Sequence, residues 1–173
     1  MLAVTSAVGK VMNSIVYVLS DGISSDCYLV DIGDFDAVRS ILHKNANVLG
    51  VFVTHGHHDH IIGINDLKTV YPNCVVYASA ECVQMLMSAK ANLSAYLDRP
   101  IEYHGEINVL NDGDEVVLFD NTILKAIATP GYNPSCLCFE VGDYLFTGDS
   151  YIPETKVVTN LPGGNKELAK ESI

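Results

Sequence analysis

The chain has 173 residues, 49% of them hydrophobic, which is enough for one domain with a full core. A formal charge of -11, from 21 acidic against 10 basic side chains, repels phosphate backbones and sets nucleic acid aside as a partner. The apolar runs are too short to cross a bilayer, and no basic leader precedes the first apolar residues, so the expectation is a cytoplasmic protein with no membrane partner.

In chain order, residues 14–20 and 26–31 read as two strands, joined through Gly22 as an antiparallel hairpin. The turn Asp31-Ile32-Gly33-Asp34 comes next. Asp31 reads equally well as a hydrogen-bond partner of a metal-ligating histidine and as a simple turn residue. Asp34 caps a helix made amphipathic by Phe35, Val38, Ile41 and Leu42, with His43 in its last turn as structural surface.

Residues 48–53 are apolar without alternation, the pattern of a strand covered on both faces. Directly after them stands Thr54-His55-Gly56-His57-His58-Asp59-His60. His55 and His57, two residues apart, point the same way in an extended segment, while Asp59 and His60 turn toward a second point. Imidazole and carboxylate groups at this spacing suit zinc, iron or manganese. Solvated surface histidines or an expression tag are the bland alternatives, but a tag is terminal and does not follow a core strand.

Residues 61–70 form a predicted helix ended by Tyr71-Pro72, then a short buried strand over 74–77. A helix over 80–89 carries Met85 and Met87, read as core filling rather than a pocket lining. Residues 88–100 lack periodicity and read as a lid or substrate loop. From 115 the chain is strand-rich, over 115–119, 122–129, 136–141 and 144–147, with turn residues between. The cysteines, Cys27, Cys74, Cys82, Cys136 and Cys138, are odd in number and lie in apolar contexts, so they read as buried free thiols in a reducing compartment.

His55-x-His57-x-Asp59-His60 resembles the H-x-H-x-D-H signature of the metallo-β-lactamase superfamily. Nearly the whole chain is similar to its small glyoxalase II-like, or hydroxyacylglutathione hydrolase-like, members. The resemblance implies a four-layer αββα sandwich, here a single domain over 1–173 without the family's C-terminal strand, with metals at one sheet edge. It implies two metal positions, one on His55 and His57 and one on Asp59 and His60. Asp149, in Thr147-Gly148-Asp149, matches the carboxylate that bridges them.

The segment Thr129-Pro130-Gly131-Tyr132-Asn133-Pro134-Ser135 resembles the family's T-P-G-H-T-x-G, with Tyr132 where the family has a histidine ligand. The phenol either ligates the metal or closes the site. The family's last histidine, beyond the closing helix, has no counterpart before the chain stops inside a predicted helix. His104 is the one remaining histidine far enough along the chain to substitute, and its spacing does not support that.

The implied cofactor is zinc, one or two ions, with iron or manganese as alternatives. The implied activity is hydrolysis of a small ester, thioester or amide-like substrate by hydroxide held on the metal. Asp59 is the catalytic residue that orients the nucleophile and handles its proton. A degenerate binding or regulatory protein with a weakened metal site is the alternative. A redox di-iron protein is a third class, opposed by His57, where those relatives usually carry Glu.

Overall fold

A computed structural model describes residues 1–173. The apolar segments found in the sequence become strands because each buries one or both faces. β2 (Ile15–Ser20) and β3 (Asp26–Val30) form the expected antiparallel pair, and β1 (Ala3–Val8) adds outside β2. β4 (Asn47–Phe52) and β5 (Val75–Ala78) then extend the sheet in parallel, and the two-residue β6 (Asn108–Val109) ends it. The order is β1-β2-β3-β4-β5-β6. A second, wholly antiparallel sheet comes later in the chain as β7 (Glu115–Phe119), β8 (Thr122–Ala128), β9 (Leu137–Val141) and β10 (Tyr144–Phe146), in the order β10-β9-β8-β7.

The two sheets pack face to face. Leu19, Tyr28, Val30 and Phe52 of the first meet Leu118, Leu124, Ala126, Leu137, Phe139 and Val141 of the second in one apolar cluster. The Phe52 ring lies 5.5 Å from Phe139 and 4.6 Å from Tyr77. Side chains buried this fully contribute about 1.5–3 kcal/mol each, so the seam is a main source of the attraction between the sheets.

The first sheet's other face is covered by four helices: α1 (Phe35–Ile41), α2 (His58–Ile61), α3 (Ile64–Val70) and α4 (Ala80–Leu86). Phe35, Val38, Ile61, Ile64, Leu67, Cys82 and Leu86 close a second core against Val16, Leu29, Val51 and Val76. The fourth layer of the αββα sandwich is α5 (Lys166–Glu171). Val117, Ile123 and Leu145 on the outer face of the second sheet stay exposed.

Asp34 caps α1 as expected, accepting from Ala37 N, but the helix ends at Ile41 and His43 lies beyond it, exposed. The helix predicted over 61–70 is two helices. Gly63 separates them, its N–H donating to Ile32 O at 2.8 Å, and an added Cβ would lie 2.9 Å from Phe35 N. Residues 88–100 are not a free lid. Asn92 and Ser94 are buried, Asn92 Nδ2 donates to Met85 O and Ile101 O, and Ser94 Oγ accepts from Ile101 N. All five cysteines are buried and free. No helix is long and apolar enough to cross a membrane.

Candidate metal centre

β3 and β4 run parallel and pair Val30 with Phe52, so their carboxyl ends lie level. The segments leaving the two strands meet at that edge, the usual place for a site in sheets of this kind. Asp31, directly after β3, has φ 61°, a left-handed conformation that aspartate tolerates and that turns its carboxylate toward β4. There it accepts from Thr54 N and Thr54 Oγ1, each at 2.8 Å, and lies 2.8 Å from His60 Nδ1.

These bonds dictate the state of two histidines. Thr54 has one hydroxyl proton, and it goes to Asp31. The Thr54 oxygen, 3.1 Å from His55 Nδ1, therefore accepts from that nitrogen. His55 Nε2 is left as a bare lone pair, fully buried and without a hydrogen-bond partner, 4.0 Å from Asp149 Oδ2. Burial, and then the neighbouring His60, hold the His55 pKa well below its usual value, so the ring is neutral.

His60 is turned the same way by Asp31, with Nε2 3.3 Å from Asp149 Oδ1 and 3.5 Å from Asp59 Oδ2. Burial lowers its pKa, but the Asp31, Asp149 and Asp59 carboxylates outweigh burial and leave it well above the usual value. Burial likewise opposes ionisation of Asp149, and His60 and His55 overcome it, holding that carboxyl below its ordinary range.

One ligand atom from each of His55, His60 and Asp149 lies within 4.8 Å of the others. A buried, unpartnered imidazole nitrogen is costly in a folded protein unless something takes its lone pair. With a carboxylate and a second imidazole beside it, the donor set fits a divalent cation.

Asp59 is fixed through its backbone. Ser14 Oγ donates to Asp59 O at 2.6 Å, and a Cβ on Gly33 would collide with the same carbonyl. Asp149 comes from the other sheet, on the turn after β10 where Gly148 has φ 49°. The segment after β8 is tied to that turn by Thr129 Oγ1 donating to Ser150 Oγ at 2.9 Å. It carries Tyr132, whose hydroxyl lies 3.1 Å from His57 Nδ1 and whose ring stands edge-on to His55 and His57. Burial, reinforced by Asp149, raises the Tyr132 pKa far above that of a free phenol. Next to it, Asn133 Nδ2 lies 3.4 Å from His57 Nε2.

All five candidate site residues, His55, His57, Asp59, His60 and Asp149, thus meet at one edge of the sandwich, with Tyr132 among them. His104 is elsewhere, exposed and 3.2 Å from Glu102. Sequence reasoning gives no role to Ser14, Thr54, Asn133 or Ser135, whose hydroxyl accepts from Gly56 N at 3.2 Å. Thr54 is detectable as the polar residue opening the histidine run, whereas the other three act across distances in sequence that carry no local signal.

The protein-family model of the metallo-beta-lactamase superfamily matches residues 10–173. The chain belongs to this superfamily. Among curated relatives, it is 30% identical over 136 residues to a hydroxyacylglutathione hydrolase of Citrobacter koseri, covering 78% of this chain and 46% of that protein. The chain therefore spans about half the length of this curated relative. Among solved structures, it resembles the BLEG-1 B3 metallo-beta-lactamase at TM-score 0.87 and 22% identity, over 99% of this chain and 83% of the other. It also resembles TTHA1623, solved in a di-iron-bound form, at TM-score 0.81 and 19% identity, over 97% and 83%. At such identities the likeness is one of fold. Within the superfamily frame, the H-x-H-x-D-H residues here lie just past the first sheet and Asp149 just past the second, so the centre spans the seam of the sandwich.

Proposed function

We propose that this superfamily member is a metal-dependent hydrolase of a small, uncharged ester, thioester or amide-like substrate. The observation that carries the reading is the unpartnered His55 Nε2, buried beside His60 and Asp149. The proposed ligands are drawn from His55, Asp59, His60 and Asp149; His57, the remaining residue of the expected set, stands beside them with its ring nitrogens facing Tyr132 and Asn133. Those ligands would hold a divalent ion, zinc or else iron or manganese, which would supply Lewis acidity toward a carbonyl oxygen and a water.

The chain's own side chains do the rest. Asp31 and Thr54 hold His55 and His60 in register, and Asp59 accepts the proton of the attacking water from its place on the wall of the cleft. That cleft, of about 390 Å³, opens over Asp59, His60 and Asp149 between the turn before β2 and the segment after β10. Met12, Ile15, Leu145, Tyr151 and Ile152 give it apolar walls, and neither Lys nor Arg is among its lining residues. An anionic substrate tail finds no Lys or Arg to pair with along these walls. The favoured partner is therefore a neutral small molecule with an apolar acyl or alkyl portion. The five buried free thiols support a reducing compartment such as the cytoplasm.

The test is metal analysis of the untagged protein, then a hydrolysis screen with neutral acyl thioesters, simple esters and lactones, and a glutathione thioester as the anionic comparison. Turnover of the neutral compounds, abolished by a chelator and restored by zinc, iron or manganese, is the expected result. The second reading, a binding or regulatory protein, is favoured by Tyr132 in the place of a ligand histidine. Metal-loaded protein that binds a neutral acyl compound and turns none over would select it.

A further inference from the structure

We propose that the centre holds a single divalent cation, on His55, His60 and Asp149 with Asp59 beside them, and that Tyr132 and Asn133 withhold His57 from it. This rests on the proposed metal centre but not on hydrolysis.

Ser135, buried in the turn before β9, fixes which way the Asn133 amide faces. Its backbone N–H donates to Asn133 Oδ1 at 2.7 Å, and its hydroxyl to the same oxygen at 2.6 Å. A backbone N–H cannot accept, so the atom facing it is the amide oxygen, and the amide nitrogen is the atom facing His57. An amide nitrogen only donates, so His57 Nε2, 3.4 Å away, is the acceptor. A neutral imidazole carries one N–H, and for His57 it must then sit on Nδ1, aimed at the Tyr132 hydroxyl 3.1 Å away. Tyr132 accepts there, and its own proton is free for Asp149, whose carboxylate it helps hold ionised.

Both nitrogens of His57 are therefore engaged, one as acceptor and one as donor. His55 is its opposite. Its Nδ1 proton is held by Thr54, and its Nε2 lone pair, without a hydrogen-bond partner, lies beside His60 and Asp149. The two rings lie 4.9 Å apart and nearly perpendicular, yet only one is presented to a cation. Recruiting His57 requires breaking two buried hydrogen bonds and moving the Tyr132 ring, which packs edge-on against both imidazoles at 5.2 and 5.1 Å. Seating one ion on His55, His60 and Asp149 requires neither.

The experiment uses the full chain, stripped with chelator and reloaded with zinc or cobalt(II). Metal per chain is read by elemental analysis after dialysis, and affinity by competition with a chromophoric chelator. One tight equivalent is expected for the wild type. His57→Ala should keep it with affinity within about threefold, while His55→Ala should lose about 100-fold or more, the scale of a lost ligand or its support. Tyr132→His removes the phenol and should admit a second equivalent, visible as a second step in the cobalt absorbance titration. Nitrogen-15 spectra of the wild type bear on the same point without any variant. His57 should remain protonated on Nδ1 after one equivalent of zinc, while the Nε2 signals of His55 and His60 shift. Two tight equivalents in the wild type, a zinc-induced shift at His57, or a 100-fold loss in a folded His57→Ala would overturn the proposal. A wild-type chain that takes up no metal overturns this proposal and the metal reading together. A single ion held through His57 overturns this proposal alone.

Discussion

Replacing Asp31 by Asn removes one charge and changes one atom from acceptor to donor, in a place where three hydrogen bonds converge. The left-handed backbone is retained, since Asn tolerates φ near the observed 61° as well as Asp does. The amide oxygen can still accept from Thr54 N. The new NH₂ then faces Thr54 Oγ1 and His60 Nδ1, which now face Asp31 Oδ2 at 2.8 Å each. In the neutral ring that a metal requires, the one remaining proton of His60 must then sit on Nε2 so that Nδ1 can accept, and an Nε2–H cannot ligate a metal.

Loss of the charge-assisted bonds is expected to cost about 2 kcal/mol. At about 2–4 °C per kcal/mol for a chain of this size, that is a fall of about 4–8 °C in melting temperature without metal. Metal affinity should fall about 10–100-fold, the range for loss of a residue that orients a ligand. Differential scanning fluorimetry in chelator and a competitive zinc titration at pH 7.5 read the two effects separately. An Asn variant that binds zinc within twofold of the wild type would refute the tautomer assignment and return Asp31 to the role of a turn residue.

The same geometry sets three further outcomes. Asp59→Asn should lower turnover of any neutral ester or thioester by about 10²–10⁴-fold while shifting melting far less, measured as kcat beside thermal unfolding; unchanged turnover would remove Asp59 from proton transfer. His60 has a raised pKa in the fold, so its contribution to the stability of stripped protein is full below the unfolded value of about 6.5 and fades as pH rises through the higher folded value. A cation must displace that proton, so zinc binding at pH 7.5 should release about one proton, seen as a buffer-dependent enthalpy in titration calorimetry; a buffer-independent enthalpy would contradict it. Leu145→Lys places a cation on the exposed cleft wall and should raise kcat/KM for an anionic thioester relative to a neutral one, by several-fold at low salt, with melting unchanged.

The features legible in the sequence are local ones. The histidine run announces itself because four imidazoles and a carboxylate occupy neighbouring positions, and the strand before it is apolar enough to be seen. β1 does not read as a strand because Thr5 and Ser6 interrupt any alternation and most of its side chains face solvent at the sheet edge. β6 is two exposed residues, too short for any period. The break at Gly63 depends on Ile32 O, thirty-one positions earlier. The spacing of His55 and His57 sets both at one edge, but nothing in a two-residue period reveals that Tyr132, Asn133 and Ser135 stand opposite one of them. Asp31 stays open between two roles in the sequence for the same reason, since the choice lies in a 2.8 Å contact with a residue twenty-nine positions away.

The turn that carries Tyr132 is held from an unexpected side. Gly131 lies directly against the backbone of Ala169, with no room for a side chain between them, and its carbonyl accepts from Asn165 N at 2.8 Å. Ser172 Oγ donates to Pro130 O at 2.8 Å. The brace is thus α5, a six-residue helix with a single buried side chain, Ala169, whereas His55 follows β4 just after the fully buried Val51, Phe52 and Val53, and His60 lies in α2 beside it. Short, exposed helices open at low free-energy cost, and central strands only with global unfolding. The centre therefore has one stiff jaw and one compliant jaw. Excursions of the 130–135 turn carry Tyr132 and Asn133 away from His57 while the other two imidazoles hold still, so the freedom of α5 governs how readily the His57 nitrogens are released.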